Sequence, residues 1–162
     1  MRKEITVTME KENDALNENN GTTAKIDVLL VEPGQYPRMV TIDSGLESLQ
    51  KAVGGDIQAV YWFDDPVALI CDEEGKLKGS RPNRALYDED GELADIVVGK
   101  FLITGLGEED FTSLPKEMQT KYEKMFHVPQ QFFRIAGQIV VLPTEPDRKP
   151  KGKEKQTPGV MI

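Results

Sequence analysis

The residues able to do chemistry in this chain are few, and each grouping also has a structural explanation. Asp64 and Asp65 are adjacent. Neighbouring side chains on an extended strand point to opposite sides, so the two make a poor acid–base pair. Followed by Pro66, they have the composition of a turn. Asp72-Glu73-Glu74-Gly75 superficially matches a calcium loop but lacks ligands at alternate positions and the distal Glu. The acidic run 88–92 falls to the same argument. Glu108-Glu109-Asp110 precedes a helix start, where negative charge is favoured. The chain has one His, His127, and one Cys, Cys71. No second His and no Cys pair is present to complete a zinc site. Cys71 with His127 is the one thiol–imidazole pairing the composition allows, although a Cys closing an apolar strand is more often a small buried hydrophobe. No Gly-x-Gly-x-x-Gly or Walker pattern offers a phosphate cradle. The residues therefore assign no catalytic group, no metal and no cofactor. Arg81, Asn83 and Arg84 remain, either as an internal ion-pair network with Asp64, Asp65 or Glu74, or as a recognition patch. With Trp62, Asp64, Asp65, Asp72, Glu73 and Glu74 they form the candidate binding surface.

The charge distribution narrows the partner. Net charge is −8 over 162 residues. Residues 25–143 hold 12 basic and 20 acidic groups, the whole of that excess. An acidic body repels phosphate backbones, so direct nucleic-acid binding is not expected, while a basic protein surface is a natural complement. No apolar run is long enough to cross a bilayer, no signal-peptide region follows the first residues, and one Cys precludes an internal disulfide framework. The expectation is a cytoplasmic protein.

Three segments follow from composition. Residues 1–24 are polar and read as a disordered arm, with the alternation of Ile5, Val7 and Met9 allowing one short strand. Residues 144–162, with Pro146, Pro150 and Pro158 among alternating lysines, read as a disordered basic tail. Residues 25–143 read as one domain. Within it, apolar runs at 26–31 and 38–42 flank a Pro-Gly turn and predict a hairpin. Ser44 and Glu47 fit a capping box, and Leu46, Leu49 and Val53 line one helical face up to Gly54-Gly55. Residues 57–63 predict a strand with Ile57, Ala59, Tyr61 and Phe63 on one face. Residues 67–71 return from the Asp-Asp-Pro turn. Residues 82–86 read as an irregular crossing or one helical turn. Residues 95–103 read as a strand with a bulge at Gly99. Leu114, Met118, Tyr122, Met125 and Phe126 share a face of a second helix, with Ser113 as its N-cap and Pro115 in its first turn. Residues 132–142 read as a last strand with Gly137 as its weak point. The result is an α+β fold, a mixed, mostly antiparallel sheet with two helices in the order β-β-α-β-β-β-α-β, β-grasp-like in outline.

Several of these stretches, taken together, resemble one family. Tyr61-Trp62-Phe63-Asp64-Asp65-Pro66-Val67-Ala68, Asp72-Glu73-Glu74-Gly75-Lys76-Leu77, Asn83-Arg84-Ala85 and Asp95-Ile96-Val97-Val98-Gly99 are similar to the turns and strands of the domain-of-unknown-function family DUF3846. The resemblance runs from about Ile26 to Gly105. It departs at Trp62, where a Pro is frequent, and at residues 79–82, where a more apolar link is usual. The resemblance implies a setting: phages, plasmids and conjugative elements, often among accessory and anti-defence genes. It supplies no catalytic residues. Combined with the acidic body, it leads to the expectation of a non-enzymatic accessory protein that binds a host or phage protein. In its sharpest form it inhibits a nucleic-acid-binding defence nuclease, anti-restriction or anti-CRISPR in type. The alternatives are a small enzyme or divalent-metal-binding protein using the acidic turns, and a structural scaffold domain.

Overall fold

The computed structural model describes the backbone of residues 6–9 and, with side chains, residues 24–148. The elements in chain order are β1 (Thr6–Met9), β2 (Lys25–Val31), β3 (Arg38–Asp43), α1 (Leu46–Val53), β4 (Ile57–Val60), β5 (Val67–Asp72), α2 (Gly75–Lys78), β6 (Pro82–Tyr87), β7 (Leu93–Val98), β8 (Phe101–Leu106), β9 (Phe111–Thr112), α3 (Lys116–Met125), β10 (Gln130–Ile135) and β11 (Gln138–Pro143). The main sheet runs β1-β4-β5-β8-β2-β3, with β9 added to β8. β6–β7 and β10–β11 are separate two-stranded ribbons. The fold is α+β. Every ladder among the described residues is antiparallel, not the mixed sheet expected.

Burial explains which strands are central. All six residues of β5 are buried, so both faces of the sheet are covered there. Side-chain alternation sorts the core into two layers. On one face Ile26, Val28, Ile57, Ala59 and Ile70 lie under Leu49 and Val53 of α1. On the other, Leu29, Leu69, Phe101 and Ile103 lie under Leu86 and Val97 of the β6–β7 ribbon and under Tyr122 and Phe126 at α3. The β6–β7 ribbon and α3 thus roof one face while α1 floors the other.

The local signals were right about existence more often than about detail. α1 closes at Gly54 in the left-handed conformation. Its expected capping box is absent: Gly45 is the N-cap and no side chain bonds to it. With glycine at the N-cap, forgoing a capping side chain costs only about a few tenths of a kcal/mol. Burial of Leu49 and Val53, at about 1.5–3 kcal/mol each, outweighs that. Ser113 does not cap α3 either. Its Oγ accepts the Asp27 backbone N–H at 2.8 Å, and Pro115 holds the N-cap position. A third helix, α2, is a single turn.

Strand boundaries moved for identifiable reasons. The run 95–103 is two strands, because Gly99 at φ 77° turns the chain between β7 and β8, a conformation that costs glycine little. The run 132–142 is a hairpin, β10–β11, turning at Ala136 and Gly137, both at positive φ, as a two-residue hairpin turn requires. Residues 82–87 are strand β6 and not a helical turn, and the expected irregularity survives as register shifts between Pro82 and Arg84 and between Leu86 and Tyr87. β4 ends at Val60, so the face assignment fails past Tyr61. Phe63 packs with Trp62 against the roofed face, and Tyr61 stays with the α1 side. Met125, expected on the apolar stripe of α3, is 48% exposed. The expected arm lies outside the described residues except for Ala24 and for β1, which pairs with β4. Of the expected tail, residues 149–162 lie outside them. Residues 144–148 are described, and the Asp147 amide donates to the Gly34 carbonyl at 2.8 Å.

Candidate binding surface

β6 carries Asn83 and Arg84 inward, so these two do not form a surface patch. Asn83 is fully buried. Its Nδ2 donates to the carbonyls of Val31 at 3.0 Å and Gly99 at 2.8 Å, and its Oδ1 accepts from Arg84 Nη1 at 2.8 Å. Arg84 is 1% exposed. It donates from Nε to the Phe126 carbonyl at 3.0 Å, from Nη2 to the Gln35 carbonyl at 2.7 Å, and from Nη1 to the Asn83 carbonyl at 3.2 Å. No carboxylate is among these acceptors, so the expected ion pairs with Asp64, Asp65 or Glu74 are not what holds it. Burial lowers the guanidinium to about 10, because neutral carbonyls replace only part of its hydration. The residue joins β6 to the end of α3 and to the β2–β3 turn.

Arg81 is exposed and pairs with Asp147 through Nη1 at 2.8 Å and Nη2 at 3.3 Å. The same carboxylate lies over Gly34, where a Cβ would sit 2.3 Å from Oδ2. Asp72 is buried, not a surface acid. Its Oδ1 accepts the Glu74 backbone N–H at 2.9 Å and its Oδ2 the Lys78 ammonium at 2.7 Å, which raises the Lys78 pKa through that bond. Asp72 thereby anchors α2. Glu73 and Glu74 are exposed beside it.

Asp65 accepts from Lys121 Nζ and from Tyr122 Oη, the latter at 2.7 Å. The Lys121 bond first, then the Tyr122 bond, holds its carboxyl below the usual range. Burial, then the hydrogen bond to Asp65, pushes the Tyr122 phenol well above its ordinary value. Asp65 therefore ties the β4–β5 turn to α3. Asp64, its neighbour, is exposed.

The groups an enzyme would need do not converge. The ladder β5–β8 pairs Val67 with Gly105 and Cys71 with Phe101. Asp64 and Asp65 therefore lie at one end of β5 and Asp72–Glu74 at the other, about 17 Å apart at strand rise. Cys71 is buried, and its thiol is pushed up to about 11, by burial first and then by Asp72 and Asp95. Its Sγ faces Gln58 Oε1 at 3.9 Å. His127 stacks on Tyr36 with centroids 4.6 Å apart and meets Glu123 at 2.8 Å. No contact joins Cys71 and His127. Among the described residues no group of three metal-ligating side chains occurs.

Three clefts border the β6–β7 ribbon, and two of them adjoin each other. A groove of about 430 Å³ is lined by Trp62, Asp64, Tyr87, Asp88, Glu89 and Met125, with Arg84 at its base. Tyr87 and Met125 are both exposed large apolar side chains. A neighbouring cleft of about 520 Å³ is lined by Gln58, Trp62, Cys71, Glu73, Lys76 and the strand residues 94–98. Trp62 and Leu86 line both. Of the sequence-derived candidates, the structure brings Trp62 and Asp64 together in the groove and Trp62, Asp72 and Glu73 together in the cleft. Tyr87, Asp88, Glu89 and Met125 were not among them. Their signal was an aromatic abutting an acidic hairpin turn, legible only once the run 82–98 is known to fold as a hairpin.

The fold and its clefts define a class: a small α+β domain whose clefts are shaped by a two-stranded ribbon laid across a sheet. The chain belongs to the family described as Domain of unknown function (DUF3846), matched over residues 26–127. The match runs from the second residue of β2 through α3, whereas the β10–β11 ribbon lies beyond it. No curated protein and no solved structure matches the chain. No helix among the described residues is long and apolar enough to cross a membrane.

Proposed function

We propose that the chain is a non-enzymatic accessory protein that acts by binding another protein. Its partner is a basic, nucleic-acid-handling protein of the host or phage. In the sharpest form the partner is a defence nuclease, of restriction or CRISPR type, that the chain inhibits on behalf of a mobile element. The observation that carries this reading is the 430 Å³ groove, where Asp64, Asp88 and Glu89 gather around Trp62, Tyr87 and Met125. Aromatic and Met side chains are the residues that anchor protein interfaces. Carboxylates around them favour a Lys- or Arg-bearing partner and oppose a phosphate backbone. Arg84, which also lines this groove, has its N–H groups turned to internal carbonyls. The charge of −8 supports the same polarity.

The test is affinity capture from the element's own host, followed by titration of the captured partner against the parent chain and against a variant with Asp64→Lys, Asp88→Lys and Glu89→Lys. The reading expects one basic partner, binding that weakens in the variant, and inhibition of that partner's nuclease activity. Equal binding by parent and variant removes the groove from the account. Direct DNA binding by the chain removes the polarity argument.

A further inference from the structure

β7 pairs only with β6 among the described residues, so one of its edges is open. Ala94, Asp95, Ile96 and Val98 line two cavities at once. One is the 520 Å³ cleft on the sheet side, walled by Val60, Trp62 and Leu69. The other, about 580 Å³, lies on the far side and is walled by Pro82, Leu93 and Ile139. The hydrogen-bond pattern gives the direction of the strand's polar groups. Ala85, opposite Ile96, donates its N–H to Gln130 Oε1 at 2.9 Å and not across the ladder. In an antiparallel pair this makes Ala85 and Ile96 a non-hydrogen-bonded couple, whose N–H and C=O groups point outward. The Ile96 N–H accordingly meets the Asp95 side chain at 2.8 Å. The same Asp95 Oδ1 takes Lys76 Nζ at 2.8 Å, in an ion pair whose side chains are 51% and 64% exposed. Along residues 94–96 the open edge is thus covered by this one solvent-exposed pair, of a kind that contributes little to stability and opens readily, while Gly75 of α2 lies against Val98 and closes the edge beyond.

An open strand edge with a cavity on each face, the outer mainly apolar and the inner mixing apolar walls with Gln58, Glu73 and Lys76, is what strand addition uses. The backbone of the incoming segment pairs with the edge, and its alternate side chains fall to opposite faces. We propose that the β7 edge takes up an extended segment of the partner protein with apolar residues at alternate positions, one set entering each cavity. A Lys or Arg of that segment replaces Lys76 at Asp95. Around this edge Asp72 and Asp95 are matched by Lys78 and Lys76, and Glu73, lining the same cleft, leaves its rim acidic. This inference rests on the protein-binding reading and adds a mode and a second contact to it.

The probe is a random octapeptide library displayed on phage and panned on the full chain. Enriched peptides are then synthesised and titrated by the emission of Trp62, the one tryptophan of the chain and a wall of the inner cleft. The expected sequences alternate apolar residues and include a Lys or Arg. N-methylation of every second peptide amide in one register should weaken binding about a hundredfold, roughly tenfold for each of two lost backbone bonds. The complementary set should leave it nearly unchanged. Asp95→Ala should weaken only peptides that carry the cation. Peptides insensitive to the N-methylation register overturn strand addition, as does self-association of the chain through β7. Peptides that perturb Tyr87 and Met125 but not residues 94–98 also overturn it, while leaving partner binding in place. Failure to enrich any peptide, with a captured partner still bound, has the same meaning. Absence of both removes the parent reading as well.

Discussion

Replacing Arg84 with Met tests whether a buried charge without a carboxylate partner holds this fold together. Arg84→Met keeps much of the side-chain volume and removes every N–H. Burial brings the parent guanidinium well below its ordinary value, to about 10. That corresponds to about 3 kcal/mol of hydration not recovered from the protein, and the variant is relieved of it. Against this, the carbonyls of Phe126, Gln35 and Asn83 and the Asn83 Oδ1 lose their donors. Buried unpaired acceptors cost about 1–3 kcal/mol each. Four of them at about 1.5 kcal/mol outweigh the relief by roughly 3 kcal/mol, in line with the loss seen when one side of a buried polar contact is removed. Urea unfolding is the assay. With a slope of about 2 kcal/mol per molar, the midpoint should drop by about 1.5 M. A variant as stable as the parent, or more stable, would show that the charge is a burden carried for another purpose. The claim that Arg84 rivets β6 to α3 and the β2–β3 turn would then be withdrawn.

Three further outcomes follow from the same contacts. The folded pKa of Asp65 lies below its ordinary 3.8, so its contribution is fully present above that value and is lost as pH falls through the folded pKa. Acid unfolding followed by circular dichroism should show this loss below about pH 4, and Asp65→Asn should remove about 1 kcal/mol at neutral pH and flatten that limb. Cys71, buried with its thiol raised from 9.0 to about 11, should react with a maleimide at pH 8 about a hundredfold more slowly in the folded chain than in urea, since the thiolate is the reactive form. Gly34→Ala places a Cβ against the Asp147 carboxylate at a positive φ. It should cost about 1–2 kcal/mol, and the cost should shrink when Asp147→Ala is made first, a non-additivity measurable in a double-mutant cycle.

How far the sequence carried the reading depended on how local the cause was. β2, β5 and α1 were legible because their apolar spacing is set by nearest neighbours and their ends by Pro, Gly and Asp. The boundary between β7 and β8 was not, since a single glycine in an apolar run reads equally as a bulge or a turn. Arg84 was read as a partner for carboxylates because charge is a property of one residue. Its burial depends on carbonyls at Gln35 and Phe126, 49 and 42 residues away. Asp72 looked like a surface acid for the same reason, before Lys78 and α2 were placed beside it. Trp62 and Asp64 were found, but the residues that complete their groove come from the hairpin tip and from α3. No local pattern joins these.

The most direct test of the central claim is the salt dependence of partner binding, measured for the parent and for the chain carrying Asp64→Lys, Asp88→Lys and Glu89→Lys. If an acidic groove grips a basic protein, the parent affinity should fall by about tenfold or more between 0.05 and 0.5 M salt. The substituted chain should start weaker and lose that dependence. Affinities that coincide at every salt concentration would contradict the account.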